Sequence, residues 1–348
     1  MKTLKTMKRS FASDNNAGVH PKVLDAIIKA NDGDCIAYGD DPYTKEAENK
    51  FKEVFGESAE AFFTPTGTGT NVIALSAMLK PYEAVISAET AHIYADECGA
   101  LERIAGNKIL PLKTRDGKLT PEIIAPLLKE GHGEHAVIPK VISITQPTEL
   151  GTVYTVSEVK VLTEFAKKNK MLVHMDGARI ANAAAHLGVP LRAFTSDAGV
   201  DVLSFGGTKN GMMEGEAVVF FNSALSKNFK FIRKQSGQLI SKMRFVSAQF
   251  LAYFENDLWL KNAKHANEMA QLLANEAKKI KGVEVVYPVE ANAVFVKLPK
   301  EKIKALQEKS FFYMWSKDSG IARWMTHFAT TEEDVFEFIS SVRKVLEG

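Results

Sequence analysis

The chain has 348 residues, of which 45% are hydrophobic and 25% are charged, the proportions of a globular protein rather than a disordered or fibrous one. Lysine and arginine number 44 against 42 aspartates and glutamates, and the net charge of +2 offers no sequence-wide basic field for nucleic acid and no polybasic membrane anchor. Two cysteines, Cys35 and Cys98, cannot supply a disulfide framework, which favours a reducing compartment.

The basic segment 1–9 lacks the apolar run of a secretory signal peptide, and no stretch of the chain is apolar for long enough to span a bilayer. The eight histidines show none of the spacings typical of structural zinc, so we expect no metal site. We therefore expect a cytoplasmic protein that binds neither membrane nor nucleic acid.

Short apolar runs alternate with amphipathic segments between residues 13 and 245. The runs show no in-and-out alternation, which is typical of strands buried on both faces, and they predict strands at 61–63, 84–86, 141–144, 171–175, 200–205 and 217–221. Helices are predicted at 71–79 and 157–168. Repeated strand–helix alternation predicts right-handed crossovers, and hence an α/β fold with a mostly parallel sheet.

The pattern changes in the last part of the chain. Residues 223–280 are predicted to be nearly continuous helix, followed by strands at 283–287, 293–297 and 321–325 and helices at 300–309 and 331–346. This pattern indicates a smaller α+β unit. We therefore predict a large α/β domain at 13–245 and a small domain built from 1–12 and 246–348.

A glycine- and threonine-rich turn leads from the first predicted strand into a helix. Gly67 lets the backbone approach an anion, the first helical turn presents unpaired N–H groups, and Thr66 and Thr68 add hydroxyl donors. The turn suits one phosphate, although neither a P-loop lysine nor a dinucleotide fingerprint accompanies it. The alternative is a tight turn with N-capping threonines.

An aspartate and a lysine each follow a buried strand. Asp176 stands at the end of the strand 171–175, where a charge is costly unless a cation pairs with it, and a helix N-cap is its alternative role. Lys209 follows the strand 200–205 in a loop flanked by glycines. Desolvation there would lower the pKa of the amine and make it nucleophilic, whereas an isolated lysine is more often a surface residue.

The phosphate turn, the buried aspartate and the lysine together meet the requirements of pyridoxal 5′-phosphate. Asp176 would keep the pyridine nitrogen protonated, and Lys209 would form the Schiff base with the cofactor. The same features stand within or beside six segments, Phe11-Ala-Ser-Asp-Asn-Asn-Ala-Gly-Val-His-Pro21, Tyr38-Gly-Asp-Asp-Pro-Tyr43, Pro65-Thr-Gly-Thr-Gly-Thr-Asn71, Glu89-Thr-Ala-His-Ile93, His174-Met-Asp-Gly-Ala-Arg179 and Ser204-Phe-Gly-Gly-Thr-Lys-Asn-Gly211. In these segments the chain resembles the pyridoxal phosphate-dependent threonine aldolases of the β-eliminating lyase group, which are fold-type I enzymes.

The resemblance implies a role for each matching residue. His92 would stack on the cofactor ring and assist proton transfer, while Arg179 would lie near the cofactor's O3′ atom and the substrate. Ser13, Arg179 and Arg323 would bind the substrate carboxylate, for which arginine offers two parallel donors. The remaining cofactor contacts would come from Thr66, Gly67, Thr68 and Thr208, and from Arg244 or Lys242 of a neighbouring subunit.

One segment departs from the family pattern. Many of these aldolases carry an Asn-Thr-His segment before the strand that ends in the aspartate, and this chain has Gln146-Pro147-Thr148-Glu149 there, with Glu149 in the place of the histidine. The base that acts on the substrate β-hydroxyl is therefore Glu149, His92 or a water molecule. The preference between threo and erythro substrates stays open for the same reason.

The resemblance implies an aldehyde-lyase that cleaves L-threonine, L-allo-threonine and related β-hydroxy-α-amino acids to glycine and an aldehyde such as acetaldehyde. Glycine biosynthesis and threonine catabolism would be its setting, and a homodimer or homotetramer with sites at the dimer interface would be its assembly. The alternatives are another pyridoxal phosphate-dependent β-eliminating lyase or a non-catalytic binding protein of the same fold. A nucleotide-binding dehydrogenase lacks its fingerprint here.

Overall fold

A computed structural model describes residues 9–129 and 133–348, so residues 1–8 of the predicted small domain lie outside the described part. Eleven strands were found in these two ranges. They are β1 (Glu60–Thr64), β2 (Glu83–Ala88), β3 (Lys108–Leu112), β4 (Ile138–Thr145), β5 (Leu172–Gly177), β6 (Val202–Gly206), β7 (Glu216–Phe220), β8 (Glu284–Val285), β9 (Ala293–Lys297), β10 (Tyr313–Ser316) and β11 (Ile321–Met325).

The helices alternate with these strands as the sequence pattern predicts. They are α1 (Pro21–Lys29), α2 (Pro42–Phe55), α3 (Gly67–Met78), α4 (His92–Ala95), α5 (Ala100–Ile104), α6 (Pro121–Ile124), α7 (Val156–Lys168), α8 (Ile180–Leu187), α9 (Ser223–Ser226), α10 (Phe229–Gln235), α11 (Arg244–Phe254), α12 (Leu258–Ala277), α13 (Ile303–Lys309) and α14 (Glu332–Glu347). Short 3₁₀ turns include Asp14–Asn16 and Thr208–Asn210, both of which contribute to the site.

The first seven strands form one sheet in the order β1-β7-β6-β5-β4-β2-β3. Strands β3, β2, β4, β5 and β6 pair in parallel, whereas β7 is antiparallel to both of its neighbours. Every residue of β2, β6 and β7 is buried, as expected for strands covered on both faces. The predicted α/β fold with a mostly parallel sheet is confirmed.

Strand β3 was not predicted. It lies at the edge of the sheet, has one fully buried residue, Ile109, and contains Pro111. Because an edge strand is partly solvated and tolerates proline, its sequence lacks the apolar run that marks the central strands.

A cluster of aromatic side chains joins helices α2 and α11 to this sheet. Phe51 is completely buried, and its ring centroid lies 5.3 Å from that of Phe205 in β6 and 5.2 Å from that of Phe250 in α11. Edge-on packing of this kind contributes beyond the area it buries. The cluster fixes β6, and with it the loop that carries Lys209, against the helical layer.

The second sheet is antiparallel, in the order β10-β11-β9-β8, and packs on α12 and α14 around the buried Trp324. The N-terminal segment joins this sheet, because the ring of Phe11 packs on Phe338 and the backbone N–H of Met325 donates to the Phe11 carbonyl at 2.8 Å. Ser13 therefore lies beside the end of β11.

The prediction of nearly continuous helix over 223–280 is wrong. Residues 236–243 are not helical, with Gly237 at a φ of 72° in the left-handed region, and Asn256 and Asp257 at φ values of 50° and 55° separate α11 from α12. The helical periodicity is real, but residues with left-handed backbone angles break the helix into separate pieces.

The aromatic residues of α11 extend the core of the first sheet past residue 245, since Phe250 and Tyr253 are buried in it. The domain boundaries at 13–245 and 246–348 stay a prediction. Within residues 9–129 and 133–348, none of the helices combines the length and apolar character needed to cross a membrane.

Candidate active site

The predicted site residues meet where the central parallel strands β4, β5 and β6 end, the usual ligand-binding edge of an open α/β sheet. One cavity at this edge is lined by Gly67, Thr68, Asn71, His92, Glu97, Thr145, Pro147, Glu149, Asp176, Ala178, Arg179, Ser204, Lys209 and Glu216. The structure thus brings together seven of the residues that the sequence identified: Gly67, Thr68, His92, Glu149, Asp176, Arg179 and Lys209.

Asp176 ends the buried strand β5, with 5% of its surface exposed. Its Oδ1 atom accepts from the backbone N–H of Ala178 at 2.9 Å, and Oδ2 accepts from the Asn71 amide at 2.8 Å. In the ranges 9–129 and 133–348, no ion pair includes this carboxylate. Because a buried carboxylate without a cation is costly, Asp176 is suited to a positively charged ligand group.

Lys209 lies in the 3₁₀ turn that follows β6, and hydrogen bonds of its neighbour Asn210 hold this turn in place. The side chain of the adjacent Asn210 donates to the hydroxyl of Tyr253 at 2.7 Å and to the Trp259 carbonyl at 2.8 Å. The positive charge of Arg179, together with burial, lowers the pKa of Lys209. A lowered pKa leaves more of the amine in its neutral, nucleophilic form.

The glycine–threonine turn begins helix α3 as the sequence predicts. Thr66 is the N-cap and its hydroxyl accepts from the Gly69 N–H at 3.2 Å, while Gly67 and Thr68 line the cavity. A Cβ built on Gly67 would meet nothing within 4 Å, so the chain itself leaves space beside this helix N-terminus. Space and unpaired N–H groups together suit a phosphate.

Three predicted cofactor contacts, Thr66, Thr208 and Arg244, lie apart from this cavity lining. The Thr208 hydroxyl accepts from the Gly215 N–H at 3.1 Å, and Arg244 donates to the Gly33 carbonyl at 2.8 Å. Arg244 is expected to act from a neighbouring subunit, and its role, like the roles of the other predicted site residues, stays a prediction.

His92 begins α4, and its ring is held by a buried carboxylate. Nδ1 lies 2.8 Å from Glu97 Oε1, and the Asn71 amide reaches the same oxygen at 2.9 Å. Asn71 also donates to Asp176, so one hydrogen-bonded chain runs from His92 through Glu97 and Asn71 to Asp176. The hydrogen bond to Glu97 raises the pKa of His92, and burial raises the pKa of Glu97.

A second, adjoining cavity contains the predicted substrate residues. Ser13, Arg179 and Arg323 line it together with His92, Glu149 and Lys209. The Nε atom of Arg323 is buried and has no hydrogen-bond acceptor within residues 9–129 and 133–348. Burial and the neighbouring charge of Arg179 lower the pKa of Arg323. Two arginines that share a cavity, one of them with a donor that has no acceptor among the described residues, would suit the binding of a carboxylate.

Comparison with known proteins agrees with this geometry. The model of the beta-eliminating lyase family matches residues 10–301. The chain belongs to the β-eliminating lyase family. A low specificity L-threonine aldolase from a Pseudomonas species is 43% identical over 98% of this chain and 99% of its own length, and one from Pseudomonas aeruginosa is 43% identical over 97% and 98%.

Solved structures give the same assignment. A threonine aldolase from Leishmania major superposes with a TM-score of 0.90 at 32% identity, covering 97% of this chain and 100% of that one. A putative L-allo-threonine aldolase from Listeria monocytogenes, at 19% identity and a TM-score of 0.74 over 94% and 95% of the two chains, shares the fold. The fold is therefore that of the fold-type I pyridoxal phosphate enzymes.

Pyridoxal 5′-phosphate is the cofactor that the family implies, and the residues present fit it. The unfilled space beside Gly67 matches the phosphate, Asp176 matches a protonated ring nitrogen, and Lys209 supplies the amine. The Oδ1 atom of Asn71, buried and without a donor in the described part of the chain, is a further polar group left for a ligand.

Sequence reasoning missed three acidic residues of the site: Asp14, Glu97 and Glu216. Asp14 binds Arg179, Glu97 binds His92, and Glu216 lines the cavity near Lys209, where burial raises its pKa to about 7. Only Asp14 stood within a quoted motif, directly after Ser13. Glutamate is mostly a surface residue, so neither Glu97 nor Glu216 carried a local signal of burial.

Proposed function

We propose that this chain is a pyridoxal phosphate-dependent aldehyde-lyase that cleaves L-threonine and L-allo-threonine, and related β-hydroxy-α-amino acids, to glycine and an aldehyde such as acetaldehyde. The relatives at 43% identity, named low specificity L-threonine aldolases, support the substrate class. The observation that carries the proposal is the shared cavity of Lys209, Arg179 and Arg323, because it joins a nucleophilic amine to a receptor for an amino-acid carboxylate.

The cofactor, when bound, would supply a conjugated ring that delocalises the electron pair left on the substrate Cα when the Cα–Cβ bond breaks. Lys209 would hold it covalently, and Gly67 and Thr68 would bind its phosphate. Asp176, fixed by the Asn71 amide and the Ala178 N–H, would keep a proton on the ring nitrogen. His92, whose ring is held by Glu97, would lie against the ring face.

Arg323 and Arg179, with Ser13, would bind the substrate carboxylate. Asp14 already engages Nε and Nη2 of Arg179, so this guanidinium is held in place before substrate arrives. Holding the carboxylate at one end restricts the remaining bonds of Cα to a small set of orientations, and such restriction lowers the entropic barrier to cleavage.

The test is a product assay on the purified protein after incubation with pyridoxal 5′-phosphate. L-Threonine should yield acetaldehyde and glycine in equal amounts. Ammonia and a 2-oxo acid would instead indicate β-elimination, and binding without any product would indicate a non-catalytic protein. Borohydride reduction should attach the cofactor to the peptide that contains Lys209.

Variants of two lysines make this assay specific. Lys209→Ala should abolish both borohydride labelling and turnover, because no other lysine among residues 9–129 and 133–348 lines either cavity. Lys160→Ala, on the exposed face of α7, is the matched control and should change neither. Normal turnover in Lys209→Ala would contradict the proposal.

We extend the proposal to the compartment, the pathway and the assembly state of the protein. The protein would be a cytoplasmic homodimer or homotetramer that connects threonine catabolism to glycine biosynthesis. The low cysteine count suits the cytoplasm, and Arg244 or Lys242 of the neighbouring subunit would complete the edge of the site. Sedimentation of the purified protein measures the assembly state.

A further inference from the structure

One carboxylate oxygen of Glu149 accepts hydrogen bonds from the protein, and the other has no hydrogen-bond donor among the described residues. Its Oε1 atom accepts from the backbone N–H of His92 at 2.8 Å and from the Thr145 hydroxyl at 2.9 Å. Its Oε2 atom is shielded from solvent and has no hydrogen-bond donor in the ranges 9–129 and 133–348. The residue as a whole is half-buried, and the carboxylate is its buried end.

Glu149 lies where the two cavities meet. Glu149 lines the cavity of Asp176 and Lys209, and it also lines the adjoining cavity of Arg179 and Arg323. Buried polar atoms without a partner are rare, and each calls for an explanation, such as a catalytic role. A carboxylate oxygen without a donor is suited to a hydroxyl or an N–H of a bound ligand.

The environment suits a proton acceptor. Burial and the negative charge of Asp176 raise the pKa of Glu149 to about 7. A base with a pKa near the working pH combines a useful ionised fraction with affinity for the proton. The two donors on Oε1 fix the orientation of the carboxylate in advance.

The other candidates are less suited to this role. The Nδ1 atom of His92 is engaged by Glu97, which raises the pKa of the imidazole and favours its protonated form, and that form has no lone pair to accept a proton. Asp96 lines the second cavity but is exposed to solvent.

We propose that Glu149 is the catalytic residue that takes the proton from the β-hydroxyl of the substrate through Oε2. The O–H electron pair becomes the second C–O bond of the aldehyde, the Cα–Cβ pair stays on Cα, and the proton passes to the carboxylate. Cα later takes up one proton, so the overall reaction needs no oxidant and no further reactant. This inference rests on the proposed cleavage of β-hydroxy-α-amino acids.

The variant Glu149→Gln tests it, because the amide keeps the size of the side chain but does not take up a proton. Two reactions of the holoenzyme are compared: threonine cleavage, and exchange of the glycine α-proton with deuterated solvent. Glycine has no β-hydroxyl, so its exchange uses the cofactor, Lys209 and the carboxylate receptor without needing this base. We expect the kcat for threonine to fall by about 10²- to 10⁴-fold, while glycine exchange changes by less than about tenfold.

Glu83→Gln is the matched control. Glu83 is another buried glutamate, at the opposite end of the sheet, where it begins β2 and accepts from the Lys80 N–H at 2.8 Å. This variant should leave both reactions unchanged, whatever it does to stability.

Two results would overturn the role of Glu149. One is normal threonine cleavage by Glu149→Gln, and the other is a parallel loss of cleavage and glycine exchange, which would make Glu149 a structural support of His92. If Glu149→Gln does not fold, Glu149→Asp replaces it, and equal losses in the two reactions would again overturn the inference. Failure of the wild-type protein to cleave threonine would instead contradict the proposed function itself.

Discussion

Asp14 binds the guanidinium group of Arg179 through two parallel hydrogen bonds, from Nε at 2.6 Å and from Nη2 at 2.9 Å. The Asp14 side chain is 1% exposed, and Asn292 donates to the same carboxylate at 3.1 Å. This ion pair connects the N-terminal segment, which packs on the second sheet, to the residue that follows β5 of the first sheet. It therefore sets the position of Arg179 at the junction of the two cavities.

Replacing Asp14 by Asn should destabilise the protein, because Arg179 would keep its charge in a largely buried place without a charged acceptor. Loss of one member of a buried pair costs about 3–5 kcal/mol of unfolding free energy. Urea denaturation of the apoprotein measures this cost. Asp197→Asn is the matched control, since it breaks the exposed pair with Arg192 and should cost less than about 1 kcal/mol. Equal effects of the two variants would contradict the structural role of Asp14.

The same ion pair makes a defined contribution to acid stability. Burial alone would raise the pKa of Asp14, but the charge and hydrogen bonds of Arg179 outweigh it and lower the pKa from 3.8 to about 2. The folded chain therefore binds this proton less readily than the unfolded chain does. This pKa shift contributes about 2 kcal/mol to the free energy of unfolding. The contribution is fully present above about pH 4 and is lost as the pH falls towards about 2. Urea titrations of wild type and Asp14→Asn should show a stability difference that shrinks across this range; a constant difference would contradict it.

Arg323→Gln should separate substrate binding from folding. A hydrogen bond to a charged group contributes about 1.5–3 kcal/mol. Loss of such bonds between Arg323 and the substrate should lower kcat/KM for threonine by about 10- to 100-fold and weaken the binding of glycine. The unfolding free energy should stay the same or rise, because the variant removes a buried charge whose Nε has no acceptor in the described part of the chain.

Arg192→Gln, at an exposed position, is the control for the Arg323 variant and should leave kcat/KM unchanged. A fall in stability of Arg323→Gln that matches its fall in activity would show that Arg323 supports the fold instead of the substrate.

Two glycines of the site should respond differently to alanine. A Cβ on Gly67 meets nothing within 4 Å, whereas a Cβ on Gly206 would lie 2.7 Å from the Cα and carbonyl oxygen of Ala178. Gly67→Ala should therefore leave the Tm of the apoprotein unchanged and weaken cofactor binding, measured by titration with pyridoxal 5′-phosphate. Gly206→Ala should lower the Tm of the apoprotein, because backbone atoms must move. Unchanged cofactor affinity in Gly67→Ala would argue against a phosphate beside α3.

Glu97→Gln should lower the pKa of His92 relative to wild type. The hydrogen bond that the His92 ring donates to Glu97 is the largest cause of the raised pKa of His92, and a glutamine carbonyl still accepts a hydrogen bond but carries no charge. Proton NMR of the His92 ring across a pH titration measures the shift. Glu102→Gln on the exposed face of α5 is the control. A His92 pKa that is the same in Glu97→Gln and wild type would contradict the prediction.

Most of the fold could be predicted from local patterns. The six strands predicted for the first sheet all form, and the helix expected at 157–168 is observed as Val156–Lys168, with a capping box between Thr155 and Glu158. These elements were predictable because buried strands and capped amphipathic helices are encoded in neighbouring residues. The long helix over 223–280 failed because its interruptions depend on residues such as Asn256 that take up left-handed backbone angles.

The sequence by itself determined the cofactor chemistry of this neutral, cysteine-poor chain. Gly67, Asp176 and Lys209 each follow a strand or precede a helix, and the carboxyl ends of parallel strands meet at one edge, so these residues could be placed together without coordinates. Their residue types then specified the cofactor.

Only the tertiary structure decided which groups hold the site residues in place and shift their pKa values. Asp14 and Arg179 are 165 positions apart, and His92 reaches Glu149 across 57 positions. Nothing local distinguishes a glutamate that ends in a buried cavity from one on the surface. The burial that raises the pKa of Glu149, and that leaves Nε of Arg323 without an acceptor in the described part of the chain, arises from packing between distant elements.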